Sequence, residues 1–159
     1  MIGVQLILFL ALFTGMVAYA VKDGAVNGLF FYPKQVQERA FEIGLIDRET
    51  LSKKRKRFMT LFYVVMSAAL LLIIGLWNRA DDFGTAYGQA LLFLEGMNWY
   101  DGIVIDKVWV GHSRFWVLPG TEDFPLVQTW YQVLKKRGIL TLILMVGAAI
   151  VGGLVMLIF

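Results

Sequence analysis

The segment EGMNWYDGIVIDKVWVGHSRFWVLPGTED, residues 95–123, decides how the rest of this chain is interpreted. It begins inside an apolar stretch that is long enough to cross a bilayer, yet it carries Glu95, Asn98, Asp101 and Asp106. Charged side chains at membrane depth are costly, usually face protein or water, and indicate a functional site by default. The segment therefore predicts a membrane protein with a polar site in its third apolar stretch.

The composition is typical of an integral membrane protein. Of the 159 residues, 58% are hydrophobic and only 17% are charged, and the mean hydropathy is +0.67. The net charge of +3 does not indicate a nucleic-acid partner, because the basic residues cluster beside apolar runs, as orientation signals do. The absence of cysteine excludes disulfides and thiolate chemistry.

Four apolar stretches predict an all-α bundle of four transmembrane helices in a single membrane domain, residues 1–159. About 20 helical residues cross the hydrocarbon core, and the predicted spans are residues 2–21, 58–77, 83–105 and 139–159. The third span crosses only if its polar residues lie within or near the membrane, and a re-entrant segment is the alternative. We favour a full crossing because the charges around the fourth span are then placed consistently.

The basic residues predict the orientation of the bundle. The segments 22–57 and 107–138 hold every one of the 15 Lys and Arg residues except Arg79. Because Lys and Arg are enriched in cytoplasmic loops, we expect a multi-pass protein of the cytoplasmic membrane with both segments in the cytoplasm and both termini outside. The run from Lys53 to Arg57 is interpreted as an orientation anchor beside the second span.

The first cytoplasmic segment is predicted to contain an amphipathic helix on the membrane surface. Pro33 suits the first position of such a helix, and Gly44 would end it. Asp47 is then placed to cap a second helix. In the second segment, Thr121 is predicted to cap a helix with Glu122 and Asp123 in its first turn.

Glu95 has a structural and a functional interpretation. At about 1.5 Å per residue from Phe83, it lies roughly 18 Å deep, at the depth of Thr14 and Ser67. A hydrogen bond to those hydroxyls would clamp the helices together. The alternative is an ion or proton relay, which would need several copies of the chain because the other spans carry no second charge.

The candidate site lies at the cytoplasmic end of span three. We predict three catalytic candidates, Asp101, Asp106 and His112, and four ligand-binding residues, Glu95, Asn98, Lys107 and Arg114. Carboxylates with an imidazole can hold a divalent cation, or a carboxylate can orient the histidine as a general base. The basic residues can pair with a phosphate. No spacing here is a specific metal or nucleophile signature, so the metal, the cofactor and the reaction stay open.

A site made from these residues requires Asp101 and His112 to lie close together. Along a continuous helix, three turns would separate them by about 16 Å. Their contact therefore requires the helix to break near Gly111 and the chain to fold back.

The sequence leaves two classes of function open. The first is a site at the membrane interface that binds or processes a lipid head group or another anionic small molecule, enzymatic or not. The second is a non-enzymatic bundle, either a subunit or scaffold of a membrane complex or an oligomeric pathway for ions or small solutes. The bilayer is the expected partner, and small residues four apart in span four suit either packing within the chain or a homo-oligomer; these are Ala148 with Gly152 and Ala149 with Gly153.

One pattern carries a resemblance to a known group of proteins. It is Asn98-x-Tyr100-Asp101, Asp106-x-x-Trp109-x-x-His112-Ser113 and Pro119-Gly120-Thr121-Glu122-Asp123. This pattern, which covers about a sixth of the chain, resembles one carried by small bacterial four-helix integral membrane proteins. The resemblance implies the class and the topology and brings no activity with it.

Overall fold

The structure, a computed structural model that describes Met1 to Phe159, is all-helical. About 80% of the residues are helical and there is no strand. The main helices are α1 (Ile2–Ala20), α2 (Lys34–Glu42), α3 (Arg48–Leu71), α4 (Phe83–Tyr100) and α5 (Trp130–Ile158). Wider π-helical turns extend α3 over Leu72–Trp77 and α4 over Asp101–Val110, and short 3₁₀ helices occupy Ala25–Phe31 and Arg114–Trp116.

Three of these helices are long and apolar enough to cross a membrane: α1, α3 with its extension, and α5. Their outward faces carry large apolar side chains, such as Ile7, Val64 and Leu142, each more than 60% exposed. Exposed apolar faces of this extent favour a lipid environment around the bundle. Helix α4 is not among the three, since Gln89, Glu95 and Asn98 lower its hydropathy.

Helix α4 lies inside the bundle, against both α1 and α5. It packs on α1 through the rings of Phe9 and Phe93, whose centroids are 5.5 Å apart. Nearer the other end of both helices, the hydroxyls of Thr14 and Tyr100 are hydrogen-bonded at 2.9 Å. These paired contacts advance in the same direction along the two sequences, so α1 and α4 are parallel.

The small residues of α5 serve mainly to hold α4. Ala148 is fully buried, and a Cβ atom on Gly152 would lie 3.2 Å from the backbone nitrogen of Tyr87. This pair is therefore used for packing within the chain, which was one of the two roles predicted for it, and the homo-oligomer stays a prediction. Only Ala149 and Gly153 remain for it, since a Cβ atom on Gly153 would meet nothing within 4 Å.

The two long polar segments meet at one end of the bundle. The Tyr32 hydroxyl donates a hydrogen bond of 2.8 Å to the Trp116 carbonyl oxygen, and Arg39 donates one of 3.3 Å to the carbonyl of Gly120. At the opposite end, Asn78 is hydrogen-bonded to Gln5 and Gln89 at 2.6–3.1 Å. The two polar segments hold every Lys and Arg except Arg79. Nearly all basic side chains therefore lie at the end of the bundle away from Asn78.

The predicted caps are confirmed in the first polar segment. Gly44 follows α2 with a φ of +73°, a left-handed conformation that favours glycine. The Asp47 carboxylate accepts a hydrogen bond of 2.8 Å from the Thr50 amide, and hydrogen bonding to Thr50 lowers the pKa of Asp47. Val36 and Ala40 form the buried face of α2.

The predicted helix after Thr121 is wrong. The Thr121 hydroxyl donates instead to the Leu118 carbonyl oxygen at 2.8 Å, and α5 begins only at Trp130, with Thr129 as its cap. A helix capped by Thr121 would need the amide of residue 125 for its first backbone hydrogen bond, and Pro125 has no N–H to donate.

Candidate functional site

Arg137 is the centre of a charged cluster where α5 meets the extension of α4. Its side chain is 2% exposed and lies between two carboxylates. Nη1 is 2.7 Å from Oδ2 of Asp101, and Nη2 is 2.6 Å from Oδ2 of Asp106. The extension has π-helical turns, in which residues five apart are bonded through the backbone. Asp101 and Asp106 are five residues apart, so both carboxylates lie on the same side of the helix and face one guanidinium.

Asp106 also binds partners nearer the bundle end. Its Oδ2 lies 3.0 Å from Nζ of Lys136 and accepts a hydrogen bond of 3.3 Å from Gln128. Lys107 donates to the Gln128 carbonyl oxygen at 2.9 Å, and its ammonium lies 4.4 Å from the ring centroid of Trp130. Lys107 is thus connected to the cluster through Gln128.

Gly102 makes room for the buried guanidinium. A Cβ atom at this position would lie 2.6 Å from Nε of Arg137 and 3.1 Å from its Cγ and Cδ. The small residue between the two aspartates lets the side chain of Arg137 lie flat against the helix backbone.

Glu95 and Asn98 form a second polar cluster, about a turn before Asp101 on α4. Oε2 of Glu95 accepts hydrogen bonds from the Thr141 hydroxyl at 2.8 Å and from the Trp99 indole at 3.1 Å. Asn98 donates to the Arg137 carbonyl oxygen at 3.2 Å, which joins the two clusters. Both residues thus link α4 to α5.

The expected hydroxyl partners of Glu95 are not the observed ones. Thr14 bonds to Tyr100 and to the Leu10 carbonyl oxygen, and Ser67 is exposed. Depth alone suggested Thr14 and Ser67, but α4 turns Glu95 toward α5, where Thr141 supplies the hydroxyl. The clamp interpretation therefore involves a different helix from the one predicted.

A cavity of about 360 Å³ lies between the helices beside Arg137; we call it the inter-helix cavity. One end is polar and is lined by Asn98, Asp101, Asp106, Gln128, Lys136 and Arg137. The remaining wall is largely apolar and includes Phe13, Phe58, Met59, Phe62, Leu140 and Leu144. Tyr32 and Trp116 also line it, and burial raises the pKa of the Tyr32 hydroxyl, which stays a neutral donor.

Three polar atoms of residues that line the inter-helix cavity have no partner in the protein, and one of them is Nε of Arg137. Oδ1 of Asn98 and the indole Nε1 of Trp116 are buried and make no hydrogen bond. Their residues are 2% and 1% exposed. Buried polar groups are nearly always paired, so the residues around the cavity leave one acceptor and two donors unfilled.

His112 and Arg114 lie apart from this cluster. The helix continues without a break from Phe83 to His112, and the exposed His112 bonds through Nδ1 to the Lys107 carbonyl oxygen at 2.8 Å. The expected fold-back at Gly111 is therefore wrong, because that residue is helical. His112 and Arg114 line a separate cavity of about 220 Å³ with Glu122, whose pKa is lowered by backbone hydrogen bonds.

The structure forms no group of three or more His, Asp and Glu side chains suited to a metal ion. It does unite four of the seven predicted site residues, Glu95, Asn98, Asp101 and Asp106, around partners that were not predicted, and Lys107 joins them only through Gln128. Those partners are Lys136 and Arg137. Their only signal in the sequence was a basic run directly before an apolar stretch, which the orientation rule had already explained.

No protein-family model, curated protein or solved structure matches the chain.

Proposed function

We propose that the protein is a four-span membrane protein whose inter-helix cavity binds a membrane lipid. In this proposal α4 crosses the membrane as the third span, and the polar segments 22–57 and 107–138 face the cytoplasm. Both termini then lie outside. Support comes from the parallel packing of α4 against α1, which suits the first and third of four spans, and from the basic residues collected at one end of the bundle, which are typical of the cytoplasmic side.

The amphipathic lining of the inter-helix cavity is the observation that carries the lipid proposal. Ligand sites are concave, mostly apolar and equipped with a few convergent polar groups. Here the polar groups lie at the end of the bundle that holds the basic segments, which is where a head group would lie. The apolar wall made by Phe62, Leu140 and Leu144 extends from it toward the middle of the bundle, as an acyl chain would.

Binding is a stronger proposal than catalysis or ion conduction. The carboxylates of Asp101 and Asp106 are engaged by Arg137, and His112 is outside the cavity. Glu95 is occupied by Thr141 and Trp99 inside one chain, which favours a helix clamp over a pathway between copies.

Filling the inter-helix cavity tests the proposal. We expect Leu144→Trp to remove lipid that copurifies with the protein in mild detergent, because the larger ring occupies the apolar wall. Bound lipid is measured by native mass spectrometry and by quantitative extraction. The matched control is Leu142→Trp on the same helix, since Leu142 is 67% exposed and points away from the bundle.

The two variants give a clear outcome. The wild-type protein and Leu142→Trp should carry the same lipid in the same amount, and Leu144→Trp should carry at least about tenfold less, the loss expected for a difference of roughly 1.4 kcal/mol. Equal lipid in all three proteins would contradict binding in this cavity.

A further inference from the structure

The orientation of the Asn98 amide leaves an acceptor for a ligand. Its Nδ2 faces the Arg137 carbonyl oxygen at 3.2 Å and Oε2 of Glu95 at 3.4 Å, and both of these oxygens accept hydrogen bonds. The amide nitrogen must therefore lie on that side, which leaves Oδ1 buried without a donor. A ligand that donates a hydrogen bond would satisfy Oδ1.

The buried charge beside Asn98 is more negative than positive. Arg137 is 2% exposed, and the two aspartates that it joins, Asp101 and Asp106, are 28% and 19% exposed. The second cation, Lys136, is 55% exposed, so that water and salt screen much of its charge. Asp101 pairs with Arg137 through its Oδ2 atom, so the Oδ1 atom of Asp101 can still accept a hydrogen bond from a ligand. An anionic group at this point would meet two carboxylates, whereas a cationic group would be stabilised.

Aromatic rings line the same cavity. The ring centroids of Phe13 and Phe62 are 5.9 Å apart, and those of Phe58 and Phe62 are 5.8 Å apart, so the three form one continuous wall. The faces of aromatic rings attract cations, while their area also suits an apolar chain. The wall is thus compatible with a cationic head group that is joined to a hydrocarbon tail.

We propose, building on the lipid-binding function above, that the inter-helix cavity selects an amphiphile whose head group carries a primary ammonium. The ammonium donates to Oδ1 of Asn98 and to the carboxylate of Asp101. The tail lies against Leu140 and Leu144. A phosphate on the same lipid would lie toward the exposed ammonium of Lys136.

Head-group selectivity of the wild-type protein is the first test. The delipidated protein is titrated with three phospholipids of identical acyl chains that carry ethanolamine, choline or glycerol head groups, and binding is followed by native mass spectrometry. We expect the ethanolamine lipid to bind about tenfold or more tightly than the glycerol lipid, as a charge-assisted hydrogen bond would give. The choline lipid should also bind more weakly, because it has no N–H to donate.

Each alternative result has a definite meaning. Equal or tighter binding of the glycerol lipid would overturn the ammonium assignment and leave lipid binding intact. Equal binding of the choline lipid would overturn the hydrogen bond to Asn98. Displacement of the lipid by free ethanolamine at the same concentration would overturn the requirement for a tail. Binding of none of the three would contradict the proposed function itself.

A pair of variants tests whether Asp101 is responsible for the head-group preference. Asp101→Asn removes the charge that faces the ammonium, and we expect the preference for ethanolamine over glycerol to fall at least about fivefold, as the loss of a charged hydrogen-bond partner implies. The control is Asp123→Asn, an exposed acid outside the inter-helix cavity. The preference is a ratio measured within one protein, so a change in yield does not affect it. An unchanged ratio in Asp101→Asn would overturn the proposal.

Discussion

Arg137 is the residue on which the charged cluster depends. Two carboxylates lie within 2.7 Å of its guanidinium in a site that is almost closed to solvent. Removing one partner of a buried ion pair leaves the remaining charge uncompensated, and the cost is typically several kcal/mol. Here one buried cation pairs with two acids, and the only other cation, Lys136, is exposed and reaches Asp106 alone, so the loss of Arg137 is more damaging than the loss of either aspartate.

We therefore predict that Arg137→Met destabilises the protein by about 3–5 kcal/mol, measured by thermal or denaturant unfolding in detergent. Arg137→Lys should cost less, because it keeps the charge, but one ammonium cannot reproduce the forked geometry. Adding Asp101→Asn and Asp106→Asn to Arg137→Met should restore part of the stability. Lys135→Met is the control, since Lys135 is exposed and forms no ion pair. Equal stability of Arg137→Met and Lys135→Met would contradict the buried role of Arg137.

The contact between α4 and α5 is the element-scale feature that positions the site. The two helices approach each other closely at Gly152, which lies against the backbone of Tyr87 and the ring of Phe83. Small residues permit such contact because no side chain separates the two helices. The same α5 carries Arg137 and Thr141 to the polar residues of α4, so the spacing set at Gly152 helps align both clusters.

We predict that Gly152→Leu destabilises the bundle and that Gly153→Leu does not. A Cβ atom at residue 152 would lie 3.2 Å from the Tyr87 nitrogen, and one at residue 153 would meet nothing within 4 Å. Overpacking typically costs about 1–3 kcal/mol, which would appear as a lower melting temperature in detergent. Two equally stable variants would show that the helices separate there without cost.

At the scale of the whole molecule, the number of crossings decides how the cavity is presented to the membrane. If α4 crosses, residue 81 lies on the opposite side from residues 52 and 122. If α4 does not cross, residues 81 and 122 lie on the same side. The chain has no cysteine, so single cysteines can report on this directly.

We predict that Ser52→Cys and Glu122→Cys react with an impermeant thiol reagent only after cells are permeabilised, and that Asp81→Cys reacts in intact cells. All three positions are exposed, so each should react after permeabilisation, which is the control. Labelling of Asp81→Cys and Glu122→Cys from the same side would remove α4 from the list of spans. Labelling of Ser52→Cys in intact cells would reverse the orientation.

Periodicity and composition determined much of this protein. The apolar runs predicted an all-helical chain, and three of the four predicted spans correspond to helices that are long and apolar enough to cross a membrane. The local signals at Gly44 and Asp47 were sufficient to place a helix end and a cap. Such features depend on neighbours within a few residues, which is why they can be predicted without knowledge of the fold.

Only the tertiary structure decided which polar groups meet. Arg137 lies 36 positions from Asp101 in the sequence and is brought to it by the packing of α5 on α4. His112, which is nearer in sequence, is carried away by a continuous helix. The choice of Thr141 over Thr14 as partner of Glu95 likewise follows from the rotation of α4. Spacing along one helix gives a direction and a depth, but the identity of the facing residue is set by the neighbouring helix.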